Sequence, residues 1–219
     1  MLQLHYYPST ASMAPHILLR ELGTAFELVL VDRAADAHKS AAYLRLNPNG
    51  LLPVLQDGDL VLYETAAILL HLVDTHPQAG LSPPLASPER AQFYKWLMWL
   101  TNTLQANLIL YFYPHRYVDQ GNEAGAAQVR FHTQLRIGSM LEQLDQLLAA
   151  HAGPWILGPI YSALDPFVFT LSRWTRGFTG PASRPARDYP HLGPYLRRML
   201  ERPAVQQVLA AEQLQQPWI

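Results

Sequence analysis

Residues 47–75 read NPNGLLPVLQDGDLVLYETAAILLHLVDT, and this stretch decides the fold of the first part of the chain. Its opening Asn-Pro-Asn-Gly run is a strong turn signal, because these residue types favour the backbone angles and local hydrogen bonds of turns. Leu52–Leu55 and Leu60–Tyr63 predict two short strands, joined by a hairpin turn at Asp57-Gly58. Glu64–Thr75 is apolar on nearly every side and predicts a helix packed against that sheet.

The residues upstream of this stretch predict a βαβ unit. Leu2–Tyr6 is short, apolar or aromatic, and followed by Pro8, as a buried strand would be. The apolar spacing becomes helical from Pro15, and Gly23 is placed to end that helix. Phe26–Val31 again favours a strand. With a short helix before the turn, the order β-α-β-α-β-β-α is that of an α/β, thioredoxin-like domain.

A cluster of helix breakers follows this domain: Pro77, Gly80, Pro83, Pro84 and Pro88. We therefore assign residues 1–76 to the thioredoxin-like domain and residues 77–87 to a linker. Residues 88–219 show helical apolar spacing almost to their end and predict an all-α domain. One predicted apolar stripe in this part consists of Val129, Leu135, Met140, Leu144 and Leu148.

Composition excludes several classes of protein. The 219 residues are 49% hydrophobic and 15% charged with a net charge of -1, which fits a folded protein and not a nucleic-acid binder. The longest apolar run, Ala66–Val73, is far shorter than the roughly 20 residues of a membrane span. The start, MLQLHYYPSTASMAPH, lacks a signal-peptide pattern, so we expect a cytoplasmic protein that does not bind a membrane. Without cysteine, any sulfur chemistry must come from a ligand.

These motifs resemble the cytosolic glutathione transferases over almost the whole chain. PSTASMAPHILLRELG, residues 8–23, is similar to the first loop and helix of the bacterial beta class, and HKSAAYLRLNPNGLLPVL, residues 38–55, resembles the phi class. The LPVL and YETAAI segments are the motifs most specific to this family, because each specifies a binding geometry that composition alone would not select. The resemblance implies the glutathione transferase fold, a homodimer, and glutathione as cosubstrate without a metal. It also implies attack of the glutathione thiolate on a small hydrophobic electrophile, or reduction of a peroxide.

The same resemblance assigns two groups of glutathione-binding residues. Pro53, between Leu52 and Val54, would follow a cis bond, and Val54 would hold the cysteinyl part of glutathione through its backbone, as an added strand does. Glu64 and Thr65 would take the ammonium and the α-carboxylate of the γ-glutamyl end, where a helix N-terminus favours an anion. Pro53 could also be an ordinary proline at a strand start, and Thr65 could be a helix cap.

His38 and Lys39 are similar to phi-class residues that hold the glycine carboxylate of glutathione. Lys39 offers a point charge and His38 a donor that is partly charged near neutral pH. A His-Lys pair in a loop also fits solvated surface. The phi class often has a Gln two residues before the proline, and this chain has Leu51, so one side-chain hydrogen bond is missing.

The loop before the first helix supplies hydroxyls that could stabilise a glutathione thiolate. By alignment with serine-type classes we rank Ser9 first, then Ser12, then Thr10. Tyr6 comes last, because a core tyrosine at a strand end is the better explanation for it. In the beta class a Cys occupies the position of Ala11, so mixed-disulfide chemistry at that position is lost here.

A pocket for the second substrate would need apolar walls. The bulky candidates in the helical part are Tyr111, Tyr113, Arg116 and Trp174. Aromatic residues at helical spacing are more often part of a core than of a pocket. Further on, Ser162 and Asp165 match the family's buried helix-start signature, in which we expect Ser162 to bond the third backbone N–H on and Asp165 to bond back.

Two other functions fit the same motifs. One is a binding or protein-interaction module that keeps the fold, and perhaps glutathione, without turnover. The other is a glutathione-dependent isomerase, in which the thiolate forms a transient adduct. The binding residues are compatible with all three functions, so the sequence leaves these alternatives open.

Overall fold

The computed structural model describes residues 1–151, 153–179 and 182–219. Its first part contains β1 (Leu2–Tyr6), α1 (Met13–Leu22), β2 (Phe26–Leu30), α2 (Ala41–Leu44), β3 (Val54–Asp57), β4 (Leu60–Tyr63) and α3 (Thr65–Thr75). The later part contains α4 (Pro88–Trp99), α5 (Ala106–Phe112), α6 (Glu123–Ala149), α7 (Leu164–Arg173), α8 (Leu192–Glu201) and α9 (Pro203–Ala211). The predicted β-α-β-α-β-β-α order and the helical second part are both confirmed.

The four strands form one mixed sheet in the order β2-β1-β3-β4. β1 runs parallel to β2, and β3 is antiparallel to both β1 and β4. Leu4 lies opposite Leu55 in this register, and both are fully buried in the main core. Because side chains alternate along a strand, the next pair, His5 and Val54, points to the other face of the sheet. Tyr43 of α2 covers that face.

Helix α1 connects the sheet to the helical part. It packs against α3 on one side and against α7 and α9 on the other. Its whole inner surface is buried, from Met13 to Leu19, and Gly23 ends it with a φ of +63°. The main apolar core therefore runs continuously from the sheet into the helices. The loop before α1 lies where the two parts of the chain meet.

Several predicted boundaries are shifted in the structure. β3 begins at Val54 instead of Leu52, after the cis bond. Asp57 pairs with Leu60, so the hairpin turn is Gly58-Asp59 and not Asp57-Gly58. β2 ends one residue before Val31.

The helices also differ in detail from the prediction. α1 begins at Met13, two residues before Pro15, because a proline is tolerated in the first turn of a helix, where its missing N–H has no partner to lose. α3 begins at Thr65, one residue after Glu64. α6 buries Ile137 and Leu141, whereas the predicted stripe member Leu135 is 40% exposed, since 3.6-residue periodicity turns that position outward.

The segment at residues 77–87 lies between α3 and α4, and its role as a linker between two domains stays a prediction. It contains a single 3₁₀ turn, Pro77–Ala79, which we did not expect among so many helix breakers. A π-helical stretch, Leu100–Gln105, joins α4 to α5. Within the part of the chain that the structure describes, no helix combines the length and the hydropathy that a membrane crossing requires.

Candidate functional site

A buried asparagine organises the turn before the cis bond. Asn47 is 2% exposed, donates from its side chain to the Leu51 carbonyl at 2.8 Å, and accepts the Asn49 N–H at 3.0 Å. The Tyr43 hydroxyl donates to the same Leu51 carbonyl at 2.7 Å. These bonds fix the backbone up to Leu51. The Leu52–Pro53 peptide bond that follows is cis, as the resemblance implies.

Val54 is the first residue of β3 and lies opposite His5 and Tyr63 in the sheet. It is fully buried, and Leu52 packs against the same small apolar cluster. Val54 is paired with β1 on one side and with β4 on the other, so its backbone groups face the neighbouring strands. Leu51 is 54% exposed and offers no side-chain hydrogen bond.

The N-terminus of α3 carries a strained residue. Glu64 has a φ of +76° and a ψ of 118°, a backbone conformation that costs a non-glycine residue on the order of 1–3 kcal/mol and that is most frequent at functional sites. Its side chain makes no capping hydrogen bond, so the expected cap is absent. Thr65, the first residue of the helix, is only 4% exposed. The first-turn N–H groups of this 11-residue helix therefore remain for an anion.

His38 and Lys39 lie in a 3₁₀ turn, Ala37–Lys39. The His38 carbonyl would lie 3.1 Å from a Cβ at Gly50, which places this turn against the 47–50 turn and explains the glycine there. The Lys39 ammonium pairs with Asp36 at 3.0 Å on the surface, and the hydrogen bond from Lys39 holds the pKa of Asp36 below its ordinary value. Among the described residues, the buried His38 Nδ1 has no hydrogen-bond partner.

Ser9 is held by three contacts from the helical part of the chain. Its N–H donates to Glu212 Oε2 at 2.9 Å, and its carbonyl accepts from Trp174 Nε1 at 3.1 Å. Its Oγ accepts from Arg173 Nη1 at 2.6 Å. Ser9 has a φ of +64°, so these contacts stabilise a conformation that serine rarely adopts. Its hydroxyl hydrogen is the one polar hydrogen of Ser9 that these contacts do not use.

The other two hydroxyls of this loop bond to each other and to one carbonyl. Thr10 Oγ1 lies 2.8 Å from the Tyr7 carbonyl and 2.8 Å from Ser12 Oγ, and Ser12 Oγ lies 3.2 Å from the same carbonyl. Each hydroxyl has one hydrogen, and either arrangement of the two consumes both within the loop. Ser12 is also fully buried. The geometry therefore favours Ser9 over both as a donor to a ligand.

Tyr6 lies at the end of β1, half-buried, with its ring 6.0 Å from that of His16 in an edge arrangement. Burial, and secondly the charge of Glu212, raise the pKa of its hydroxyl. A phenol with a raised pKa is a weaker hydrogen-bond donor to an anion. This environment matches the core interpretation of Tyr6.

Aromatic side chains extend from Ser9 toward the end of α5. The Trp174 ring, which bonds the Ser9 carbonyl, lies 6.3 Å from that of Phe112. Next to it, Tyr113 accepts a 3.4 Å hydrogen bond from Arg33 Nη2, and the Arg116 guanidinium stacks 4.2 Å from the Tyr113 ring centroid. Of the predicted pocket residues, Trp174, Tyr113 and Arg116 thus lie along this aromatic wall. Tyr111 packs against the buried Phe178, with ring centroids 4.6 Å apart.

The helix-start signature holds α7 in place. Asp165 is fully buried and accepts the Ser162 N–H at 2.8 Å, the Ile156 N–H at 3.0 Å and the Tyr195 hydroxyl at 3.0 Å. Burial outweighs these bonds and raises the pKa of Asp165 to about 6. Ser162 Oγ accepts the Leu164 N–H at 3.3 Å. We predicted the third residue after Ser162 as its backbone partner, whereas the structure shows the second. These contacts stabilise the helix that carries Arg173 and Trp174.

Sequence reasoning did not identify four residues that form this site: Arg33, Phe112, Arg173 and Glu212. Glu212 lies 203 residues from its partner Ser9, and no periodicity links them. The exposure of Phe112, 42%, depends on where α5 ends. The available signals were an Arg and a Glu outside any local motif. Their burial can be recognised only once the fold is known.

The fold and the site were compared with known proteins. The family model described as "Glutathione S-transferase, N-terminal domain" matches residues 2–74. Glutathione S-transferase GstA of Escherichia coli O157:H7 is 31% identical over 216 residues, covering 97% of this chain and 100% of that protein. Glutathione S-transferase GST-4.5 of Xanthomonas campestris is 30% identical over 213 residues, with coverage of 97% and 100%.

Solved structures of the same family superpose over almost the whole chain. A glutathione transferase homologue from Sulfitobacter, with bound glutathione, has a TM-score of 0.86 and 25% identity, covering 98% of this chain and 99% of that one. A glutathione transferase from Methylococcus capsulatus has a TM-score of 0.81 and 33% identity, covering 98% and 100%. With relatives of 30% identity or more over 97% of its length, this chain belongs to the glutathione S-transferase family and is a transferase enzyme.

Proposed function

We propose that the protein binds glutathione in the cleft between the sheet and the helical part and activates its thiol with the Ser9 hydroxyl. The observation that carries this proposal is the hydrogen-bond pattern of Ser9. Its N–H, its C=O and one Oγ lone pair are occupied by Glu212, Trp174 and Arg173. The hydroxyl hydrogen is left to donate to a sulfur.

The glutathione tripeptide would extend from the α3 N-terminus to the 3₁₀ turn. Thr65 and the free N–H groups of the first turn of α3 would receive the γ-glutamyl carboxylate, and the Glu64 side chain the ammonium. The cysteinyl part would lie against the backbone of the Leu52–Val54 segment. His38 would meet the glycine end, with Lys39 beside it. The strained Glu64 backbone and, among the described residues, the unpartnered His38 Nδ1 support this arrangement.

The chemistry requires the thiolate. An unperturbed thiol with a pKa near 8.5 is only a few per cent ionised at neutral pH. A hydroxyl that donates to the sulfur favours the anion, and lowering the pKa by about two units corresponds to roughly 2.7 kcal/mol. The thiolate then attacks an electrophilic carbon and displaces its leaving group with the bonding electrons. A peroxide would instead be attacked at oxygen, which releases an alcohol and leaves the sulfur as a sulfenic acid. A second glutathione would then convert that sulfenic acid to glutathione disulfide and water.

The second substrate would lie against the aromatic wall of Trp174, Phe112 and Tyr113. Flat apolar rings that flank the reacting sulfur suit a small hydrophobic or aromatic electrophile. Mixed-disulfide chemistry through a protein thiol is not expected, because the chain has no cysteine and the beta-class position holds Ala11.

We further propose a homodimer, as the family resemblance implies. Its support in this chain is a set of exposed apolar side chains on β4, α4 and α6, namely Leu60, Val61, Tyr94, Met98, Phe131 and Leu135. Sedimentation analysis tests it, since a monomer at micromolar concentration would contradict this proposal. A cytoplasmic location stays a prediction from the sequence.

Two measurements together test the proposed function. Calorimetry should show glutathione binding, and an activity panel should show turnover of a halogenated dinitrobenzene or of cumene hydroperoxide. Binding without turnover of any substrate would favour a binding module. Turnover only of a maleylacetoacetate-like substrate, with no net consumption of glutathione, would favour the isomerase.

A further inference from the structure

We propose that Arg173 is a positioning residue for thiol activation, directing the Ser9 hydroxyl hydrogen toward the glutathione sulfur and polarising that hydroxyl. The inference rests on the proposed function. Arg173 is the last residue of α7, 2% exposed, and its Nη1 donates to Ser9 Oγ at 2.6 Å. It lies 164 residues away from Ser9 in the chain.

The direction of the hydroxyl follows from the chemistry of guanidinium. Arginine has donors only, so Ser9 Oγ can only accept from Arg173, and the Ser9 hydrogen must point elsewhere. The other polar groups of Ser9 are engaged by Glu212 and Trp174. A serine with one free rotor has several orientations of its hydrogen, and the bond from Arg173 removes those that point at the guanidinium. In the proposed complex the hydrogen takes one of the others and points to the glutathione sulfur.

The charge of Arg173 also strengthens the Ser9 hydroxyl as a donor. Burial, and secondly the charge of Arg176, lower the pKa of the Arg173 guanidinium to about 10, and Glu212 opposes this shift. The group therefore stays charged at neutral pH. Among the described residues no carboxylate oxygen lies within 4 Å of it, since the Glu212 oxygens bond Ser9 N–H and His16 Nδ1. A buried cation without a direct ion pair strengthens the hydroxyl donor that it touches.

The other charged and titratable groups nearby serve different roles. His16 on α1 is fully buried and bonds Glu212 Oε1 at 2.9 Å. Arg176, just after α7, donates to the Arg173 carbonyl at 3.1 Å and has no bond to Ser9. On β1, burial and secondly the charge of Glu212 raise the pKa of Tyr6. Arg173 is therefore the group through which a positive charge reaches the Ser9 hydroxyl.

The test titrates the ultraviolet thiolate band of glutathione bound to the full-length protein. Arg173→Gln should raise the pH midpoint of that band by about one unit and lower kcat/KM about tenfold at a pH below the midpoint. The KM for glutathione should stay within about twofold, because the contacts at Thr65 and His38 remain. Arg176→Gln is the matched control and should move the midpoint much less. Equal shifts in the two variants would overturn the proposal.

A double-mutant comparison separates the role of Arg173 from the role of Ser9. If Arg173 acts through Ser9, then Ser9→Ala and the Ser9→Ala, Arg173→Gln pair should share one midpoint. If Arg173→Gln raises the midpoint as much in the Ser9→Ala protein as it does in wild type, Arg173 acts independently of Ser9 and the inference is overturned. If Ser9→Ala raises the midpoint and Arg173→Gln does not, this inference fails while the proposed function stands. An unchanged midpoint in Ser9→Ala would refute both.

A buried arginine can be needed for folding, so a second variant keeps the question open to refutation. Arg173→Lys keeps the charge but loses the long planar fork that reaches Ser9. We expect it to fold and to raise the midpoint by about half a unit. A folded Arg173→Lys protein with the wild-type midpoint would contradict a role for the hydrogen bond.

Discussion

Replacing Glu212 should disconnect the Ser9 loop from the helical part of the chain. Its carboxylate is buried and accepts two hydrogen bonds, from Ser9 N–H and from His16 Nδ1, each at 2.9 Å. Glu212→Ala removes both and leaves the fully buried His16 without an acceptor. Hydrogen bonds to a charged acceptor contribute about 1.5–3 kcal/mol each, and the part-exposed Ser9 N–H regains some of this from water. We therefore expect a loss of about 3 kcal/mol of unfolding free energy.

Urea unfolding followed by tryptophan fluorescence measures this loss directly, because Trp174 bonds the same loop. Glu201→Ala is the matched control: this glutamate is exposed at the end of α8, and its loss should cost under about 0.5 kcal/mol. Glu212→Gln keeps the shape and an acceptor, so it should cost less than Glu212→Ala. A Glu212→Ala loss no larger than that of the control would refute the tie between the two parts.

Three further predictions address other parts of the site. Thr65→Ala should weaken glutathione binding by about 1–3 kcal/mol in calorimetry, whereas Thr65→Ser should bind nearly as wild type; equal binding by all three would remove Thr65 from the site. Ala11→Cys should install glutathione-dependent disulfide reduction that the wild type lacks, and efficient reduction by the wild type would contradict our interpretation. Asp165 has a pKa raised to about 6, so its contribution to stability is greatest below pH 4 and falls by about 3 kcal/mol as the pH rises to 6. Asp165→Asn should lack this dependence, and parallel pH profiles for wild type and variant would rule it out.

The first half of the fold could be predicted from local patterns. Pro8, Gly23 and the 47–50 turn separate the elements, and short runs of apolar, aromatic and β-branched residues identify the strands between them. The errors lie at element ends, where tertiary structure decides. Asp57 was placed in the turn because Asp-Gly is a common turn pair, yet its pairing with Leu60 extends the ladder by one residue.

The candidate site was less predictable than the fold. The residues at 52–54 and 64–65 were assigned through a family resemblance, since cis proline and a strained helix start leave no periodic signal. The ranking of Ser9 over Ser12 and Thr10 likewise came from alignment, and it stays a prediction. The three hydroxyls differ through the bond from Arg173 to Ser9 and through the bonds that Thr10 and Ser12 make within the loop, and the Arg173 contact has no counterpart in sequence spacing.

The ionisation of bound glutathione in Ser9→Ala, beside Ser12→Ala and Thr10→Ala, is the most direct test of thiol activation by Ser9. We predict that only Ser9→Ala raises the pH midpoint of the thiolate band, by about one to two units. In that variant turnover should fall more than glutathione affinity. A midpoint that moves in Ser12→Ala and not in Ser9→Ala would assign the role to Ser12. An unchanged midpoint in all three, and in Tyr6→Phe, would contradict activation by any of these hydroxyls and favour the backbone N–H groups at the start of α1.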